Sequence, residues 1–176
     1  YLKTDEIQVH ALRNKIKKNA QNICGISWMS KNIDVGKEKS LSLTELLPIL
    51  SIPNTTFINL QYGDTKEEVG RILDQHGIEI HMIDEIDNFN NLDGLASLIN
   101  ACDYVVTTSN VTAHIAGALN KETYLLLPYA FGKIWYWGES RDYSLWYPSI
   151  KISRNSKYQS WEETIDELSR TLRARS

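Results

Sequence analysis

Cysteine is almost missing from this chain: Cys24 and Cys102 are the only two in 176 residues. A disulfide scaffold or a zinc site needs more thiols at tighter spacing. Both cysteines fall in segments that read as core or core edge, so they are expected as buried, reduced thiols in a cytoplasmic protein. Long apolar runs are missing too. No stretch approaches the ~20 residues of a membrane-spanning helix. Positive charge is not in excess, since 19 Lys and Arg stand against 22 Asp and Glu for a net charge of -3. That balance argues against a nucleic-acid binder whose affinity rests on bulk charge. The chain opens on Tyr1 rather than Met and shows no signal-peptide pattern, which suggests a piece of something longer.

Several site signatures are also absent. There is no G-x-G-x-x-G, and "VGKEKS" lacks the G-x-x-x-x-G-K-[ST] frame of a P-loop. The four histidines, at 10, 76, 81 and 114, show no i, i+4 ligand pairing. "DEID", 84 to 87, is a faint echo of a carboxylate metal motif and reads better as a solvated turn. No metal ligand set and no catalytic triad can be assembled.

What is present is a rhythm. Residues 4 to 19 read as a surface helix with Val9, Leu12 and Ile16 on one stripe and a basic end at Lys15, Lys17 and Lys18. Then come "NICGISW" (strand), a polar loop to Ser40, "LTELLPIL" (a helix shortened or kinked by Pro48), "TTFINLQ" (strand), and "KEEVGRILDQHG" (a helix stopped at Gly77). "IEIHMI", "LDGLASLINAC", "YVVTTS", "VTAHIAGALN" and "ETYLLLP" continue the alternation of strand and helix. "IKI" adds an edge strand, and a last helix over 160 to 174 opens on a capping-box pattern, Ser160 with Glu163. Strands that are continuous apolar runs, separated by helices of about ten residues, predict a doubly wound parallel α/β sheet, Rossmann-like, with right-handed crossovers. The division expected is a lead-in helix over 1 to 22 and one domain over 23 to 176.

In such a sheet the ligand cleft lies beyond the carboxyl ends of the strands where the order reverses, between the first and fourth strands if the order is 3-2-1-4-5-6. The fourth strand runs into "TTSNVTAHIAGALN". A helix starting near Val111 presents unpaired N–H groups and a positive dipole end to an anion. Ser109, Asn110 and Thr112 can add hydrogen bonds, His114 can donate one turn later, and Ala113, Ala116 and Gly117 let the helix approach the sheet. The simpler alternative is an ordinary N-cap at Ser109 or Asn110 with a structural histidine. The loop after the first strand offers Ser27, Lys31, Lys37 and Lys39 to the same phosphates, or merely a solvated surface. The loop 129 to 149 holds three of five tryptophans, Trp135, Trp137 and Trp146. It is expected to be partly exposed, walling a cleft or meeting a partner, with a local mini-core as the alternative.

"CDYVVTTSNVTAHIAGALNKETYLLLP", followed by "WYWG" and "WYPSI", resembles the C-terminal half of bacterial glycosyltransferases associated with tetratricopeptide repeats. These are relatives of heptosyltransferases and, more distantly, of O-linked N-acetylglucosamine transferases. "GISW", "KSLSL", "FINLQYG" and "LDGLASLINACD" fit the same pattern in the same order. The resemblance implies a GT-B architecture in which this half binds the nucleotide-sugar donor. It implies that Ser109, Asn110, Thr112, His114, Ser27 and Lys39 hold the donor diphosphate. Gln61, Asp93, Lys133 and Trp137 would approach the nucleoside or sugar. No cofactor and no metal are implied; the partners are the nucleotide-sugar, an N-terminal GT-B domain and possibly tetratricopeptide repeats. The chain departs from many relatives in carrying Ser109 where they have aspartate. The catalytic base is expected from the N-terminal domain, so the chain alone should bind donor without turning it over. The other reading is a non-catalytic Rossmann-like module used for protein interaction.

Overall fold

A computed structural model of the chain describes residues 1–16, 21–129, 134–157 and 160–175. Lys17, Lys18 and Lys133 lie outside the described residues, so their expected roles are not addressed by it. Six strands form one sheet: β1 (Asn22–Ser27), β2 (Thr55–Asn59), β3 (Ile80–His81), β4 (Tyr104–Thr108), β5 (Thr123–Leu127) and β6 (Ile150–Arg154). Their order is β3-β2-β1-β4-β5-β6 and every pairing is parallel. β1 and β4 are neighbours, with Ser27 opposite Thr107, so the reversal of order falls where the sequence places it.

The helices are α1 (Glu6–Ile16), α2 (Gly36–Lys39), α3 (Leu47–Leu50), α4 (Lys66–His76), α5 (Leu92–Ala101), α6 (Val111–Ala118) and α7 (Glu162–Arg173). They cover both faces. On one face Cys24, Ile26, Phe57, Tyr104, Val106, Tyr124 and Leu126 meet α3, α4 and α7 through Ile49, Ile72, Ile165, Leu168 and Leu172. On the other, Ile23, Ile58, Leu60 and Val105 meet Ile16 of α1, Leu95, Leu98 and Ile99 of α5, and Ile115 of α6. This double burial is why the strands carry no polar alternation: the burial of β4 and β5 is complete along their length. Each such aliphatic side chain contributes roughly 1.5–3 kcal/mol on leaving water. The two cysteines sit on opposite faces, and desolvation raises both thiols, that of Cys102 to about 12.

Three local expectations change. The loop after β1 contains the short helix α2; α3 is short, four residues, as expected of Pro48, which falls in its first turn where the missing N–H costs nothing. The capping box of α7 does not form: Glu163 accepts from Ser156 and pairs with Lys157, and the cap residue Trp161 makes no side-chain cap bond. Gly117 does not serve the sheet; a Cβ there would lie 2.4 Å from the ring of Tyr147, so its absence admits that ring against α6.

Between β5 and β6 the described residues of the crossover form one 3-10 turn, Trp135–Trp137, and no α-helix. Ile134, Tyr136, Trp137 and Tyr147 pack instead on Ala113, Leu125, Leu127, Ile150 and Ile152 as a third cluster. The aromatic loop thus does both things open to it. Trp135 and Trp146 are 80% and 55% exposed, whereas Trp137 is 1% exposed, which corrects the expectation that all three share a surface patch.

Candidate functional site

At the reversal point, the β4 strand ends in Thr107-Thr108-Ser109 and α6 begins at Val111. Asn110 is the cap: its Oδ1 accepts from the Thr112 N–H at 3.0 Å. Its Nδ2 donates to Ser27 Oγ (2.8 Å) and to the Met29 carbonyl (3.1 Å). Ser27 in turn donates to Gln61 Oε1 at 3.0 Å, and the same oxygen accepts from the N–H groups of Trp28 and Met29. Asn110, Ser27 and Gln61 therefore join the tips of β4, β1 and β2 to one another. Their side chains are spent on building the cleft floor, and what they present to the cleft is a fixed backbone. Thr112 is fully buried, with a hydroxyl that has no partner among the described residues.

Above this floor lies a cavity of about 610 Å³. Lys31, Lys39, Ser109, Asn110, His114 and Tyr136 line its polar side, and Tyr62, Phe89, Leu92, Val111 and Ile134 its apolar side. A second cavity of about 410 Å³ adjoins it past Lys31, Asn88 and Phe89, with Gln61, Ile83, Asp84 and Asp87 in its wall. "DEID" borders this second cavity as a turn, in which Asp87 accepts from the N–H groups of Phe89 and Asn90.

Lys39 is the unusual member. Its side chain is 3% exposed, and it makes no hydrogen bond or ion pair among the described residues. Burial lowers its pKa. An ammonium that gives up part of its water without a counter-ion is unfavourable, so holding it at the cavity wall takes another force. The loop around it supplies that force. Ser40 Oγ accepts from the Ser30 N–H and donates to the Gly36 carbonyl, and Leu41 N–H donates to the Trp28 carbonyl. Glu68 of α4 clamps the loop by accepting from Trp28 Nε1 (3.0 Å) and from the Leu43 N–H (2.9 Å). Gly36 is required in this turn, because a Cβ would sit 2.2 Å from the Ser30 carbonyl oxygen.

His114 stands opposite. Its ring stacks on Trp137 with centroids 5.1 Å apart and planes at 24°. Nε2 lies 3.1 Å from the Tyr136 hydroxyl, and Nδ1 lies 3.2 Å from that of Tyr147. Burial, assisted by the charge of Lys39, depresses its pKa, so the imidazole is neutral at pH 7. Both ring nitrogens already have phenol partners, which sequence reasoning did not foresee; the richness of the loop in aromatics was visible, but not which rings turn inward. Trp137 Nε1 donates to Ser109 Oγ at 2.9 Å, so this tryptophan lies behind the cavity wall rather than in it. Asp93 is exposed on the first turn of α5 and lines neither cavity. Lys37 is exposed on α2.

The whole can receive an anion: one poised ammonium, a helix start, and hydrogen-bonding side chains, beside an apolar shelf. Among the described residues no cluster of three or more His, Cys, Asp or Glu could hold a metal ion. No helix among them is long and apolar enough to cross a membrane.

Comparison with known proteins agrees with the architecture. No protein-family model matches the chain. Protein FlbA of Caulobacter vibrioides is 32% identical over 150 residues, which is 85% of this chain and 24% of that protein. Among solved structures, a glycosyl transferase family 9 protein from Veillonella parvula superposes over 100% of this chain and 54% of its own, with a TM-score of 0.66 and 13% identity. The ADP-heptose lipopolysaccharide heptosyltransferase II of E. coli matches 98% of this chain and 52% of its own, with a TM-score of 0.65 and 18% identity. The wall teichoic acid polymerase TagF gives a TM-score of 0.50 over 97% of this chain and 38% of its own. The chain thus spans about half the length of the first two structures and a quarter of FlbA. What it shares with the solved glycosyltransferases is the fold: a six-stranded, all-parallel, Rossmann-like α/β domain.

Proposed function

We propose that this chain is the donor-binding domain of a nucleotide-sugar-dependent glycosyltransferase. The observation that carries the reading is Lys39, a buried ammonium without a counter-ion, lining a cavity at the start of α6. A donor diphosphate supplies the missing charge. Its oxygens would take the first-turn N–H groups of α6 that Asn110 leaves free and the Lys39 ammonium, with the nucleoside toward the second cavity. Fixed donors aimed at an oxyanion need no reorganisation as charge develops, so the same groups stabilise the departing nucleoside diphosphate. With a cation already provided by the protein, the diphosphate needs no metal bridge. The resemblance to C-terminal GT-B halves supports this division of labour, in which an acceptor-side domain preceding this one carries the catalytic base. Tetratricopeptide repeats in the same protein would point to a protein or peptide acceptor.

Calorimetric titration with adenosine, uridine and guanosine diphosphates tests the reading. At least one should bind the isolated chain with and without chelator, and Lys39→Ala should weaken it by roughly ten- to a hundredfold, the worth of about 1.5–3 kcal/mol for a charged hydrogen bond. The chain alone should transfer no sugar. Absence of binding for all three nucleotides would leave an interaction module as the better description.

A further inference from the structure

We propose that Glu68, which lines neither cavity, is the positioning residue for Lys39: it fastens both ends of the loop that carries this lysine, and ligand affinity depends on that clasp. The proposal rests on the donor-binding reading and extends it to a residue of α4.

Trp28 directly follows β1 and Leu43 precedes α3; between them run Lys31, α2 and Lys39. Glu68 Oε2 accepts from Trp28 Nε1 at 3.0 Å, and Oε1 accepts from the Leu43 N–H at 2.9 Å. An indole N–H and a backbone N–H can only donate, so each end of the loop demands an acceptor, and a carboxylate supplies one oxygen to each. Glu68 stands in the first turn of α4, where the positive end of the helix dipole favours a carboxylate. Trp28 and Leu43 are fully buried. Neither N–H can turn to water if its oxygen is lost, so the loop must shift to satisfy it.

Lys39 is the part of the loop that depends most on this clasp. The first half is held by other groups: Gln61 Oε1 accepts from the N–H groups of Trp28 and Met29, and the Tyr62 hydroxyl accepts from the Lys31 N–H at 2.7 Å. Lys39 lies in the second half, which Ser40 ties to the first. Among the described residues, the hydrogen bonds that join residues 36 to 43 to Trp28 or to α4 are those of the Leu41 N–H to the Trp28 carbonyl and of the Leu43 N–H to Glu68. Both run through the Trp28–Glu68 pair. The two oxygens of Glu68 are engaged by N–H groups, so it acts through the position of the loop rather than by pairing with the ammonium.

Two measurements test this. Glu68→Gln keeps the shape but turns one acceptor oxygen into a donor NH2, so one of the two ties must break. Titration with inorganic pyrophosphate and with adenosine, uridine and guanosine diphosphates should show it weakening every ligand that the wild-type chain binds by about tenfold, with unchanged circular dichroism. Added to Lys39→Ala, the same change should cost less than about twofold more, because the ammonium it positions is gone. Equal losses with and without Lys39 would make Glu68 a general structural residue and overturn the proposal. Hydrogen exchange is the second readout. Coupling is reciprocal, so a bound ligand should slow exchange of the Trp28 indole N–H and the Leu43 amide in the wild type and not in Lys39→Ala. Exchange that ignores the ligand at both groups also overturns it. Should Glu68→Gln not fold, Glu68→Asp, which keeps both oxygens but shortens their reach, replaces it. Where Lys39→Ala binds too weakly for the cycle, hydrogen exchange in the wild type decides. Unchanged affinity in Glu68→Gln, while the wild type binds and Lys39→Ala weakens it, overturns this proposal and leaves the donor-binding reading intact. No binding by the wild-type chain overturns both.

Discussion

The side-chain amide of Asn110 donates to Ser27 Oγ at 2.8 Å and thereby ties the tip of β4 to the tip of β1 across the point where the strand order reverses. The same residue caps α6, so one amide sets both the width of the cleft and the direction of the helix dipole entering it. Asn110→Ala removes the cap and leaves Ser27 and the Met29 carbonyl short of a partner. The expected cost is about 1–3 kcal/mol, to be read as a lower denaturation midpoint with unchanged slope. Asn110→Asp keeps the cap but cannot donate to Ser27, and should recover part of that loss.

Lys39→Met should leave the empty chain as stable as the wild type or more so, because it removes a buried cation that nothing neutralises. The pH dependence carries the sign. Burial sets the folded pKa of Lys39 below its unfolded value. Between the two values the unfolded chain binds more protons, so the Lys39 contribution to stability improves as pH rises through that window. Subtracting the curve of Lys39→Met from that of the wild type isolates this slope; a difference that falls with rising pH would contradict it. Ligand affinity should move the other way, declining as Lys39 loses its proton.

Gly117→Ala places a methyl group within 2.4 Å of the Tyr147 ring. Overpacking of this kind costs about 1–3 kcal/mol. The double variant Gly117→Ala, Tyr147→Ala should lose much less than the sum of the single changes, and a thermal-unfolding cycle would detect that coupling.

The tryptophans of the loop should separate cleanly. Trp137→Ala empties a packed site and should cost about 3–5 kcal/mol, whereas Trp135→Ser and Trp146→Ser should stay within about 0.5 kcal/mol. Acrylamide quenching should reach Trp135 and Trp146 and spare Trp137, in keeping with exposures of 80%, 55% and 1%.

Much of this arrangement was legible in the sequence because it depends on local pattern. Apolar runs such as "YVVTT" and "TYLLL" announce strands buried on both faces, and parallel strands need crossovers, so the sheet and its point of reversal follow. Gly77 ends α4 at φ 66°, as a left-handed cap does. The capping box at Ser160 and Glu163 misled, because Lys157 and Ser156 offer Glu163 competing partners that sequence spacing does not reveal.

The candidate site divides along the same line. The sequence by itself determined that Ser109, Asn110, Thr112 and His114 stand at a helix start beyond β4, since a strand followed by a cap and a helix is encoded within a dozen residues. Only the tertiary structure decided which of them face the cavity. Asn110, Ser27 and Gln61 satisfy one another across residues far apart in the chain, and Glu68 folds the loop that buries Lys39. Tyr136 and Tyr147 claim both nitrogens of His114 from a loop with no periodicity to read. Hydrogen-bond capacity is fixed by residue type, but its assignment to partners is settled by distances between segments, and those exist only once the sheet has closed its layers.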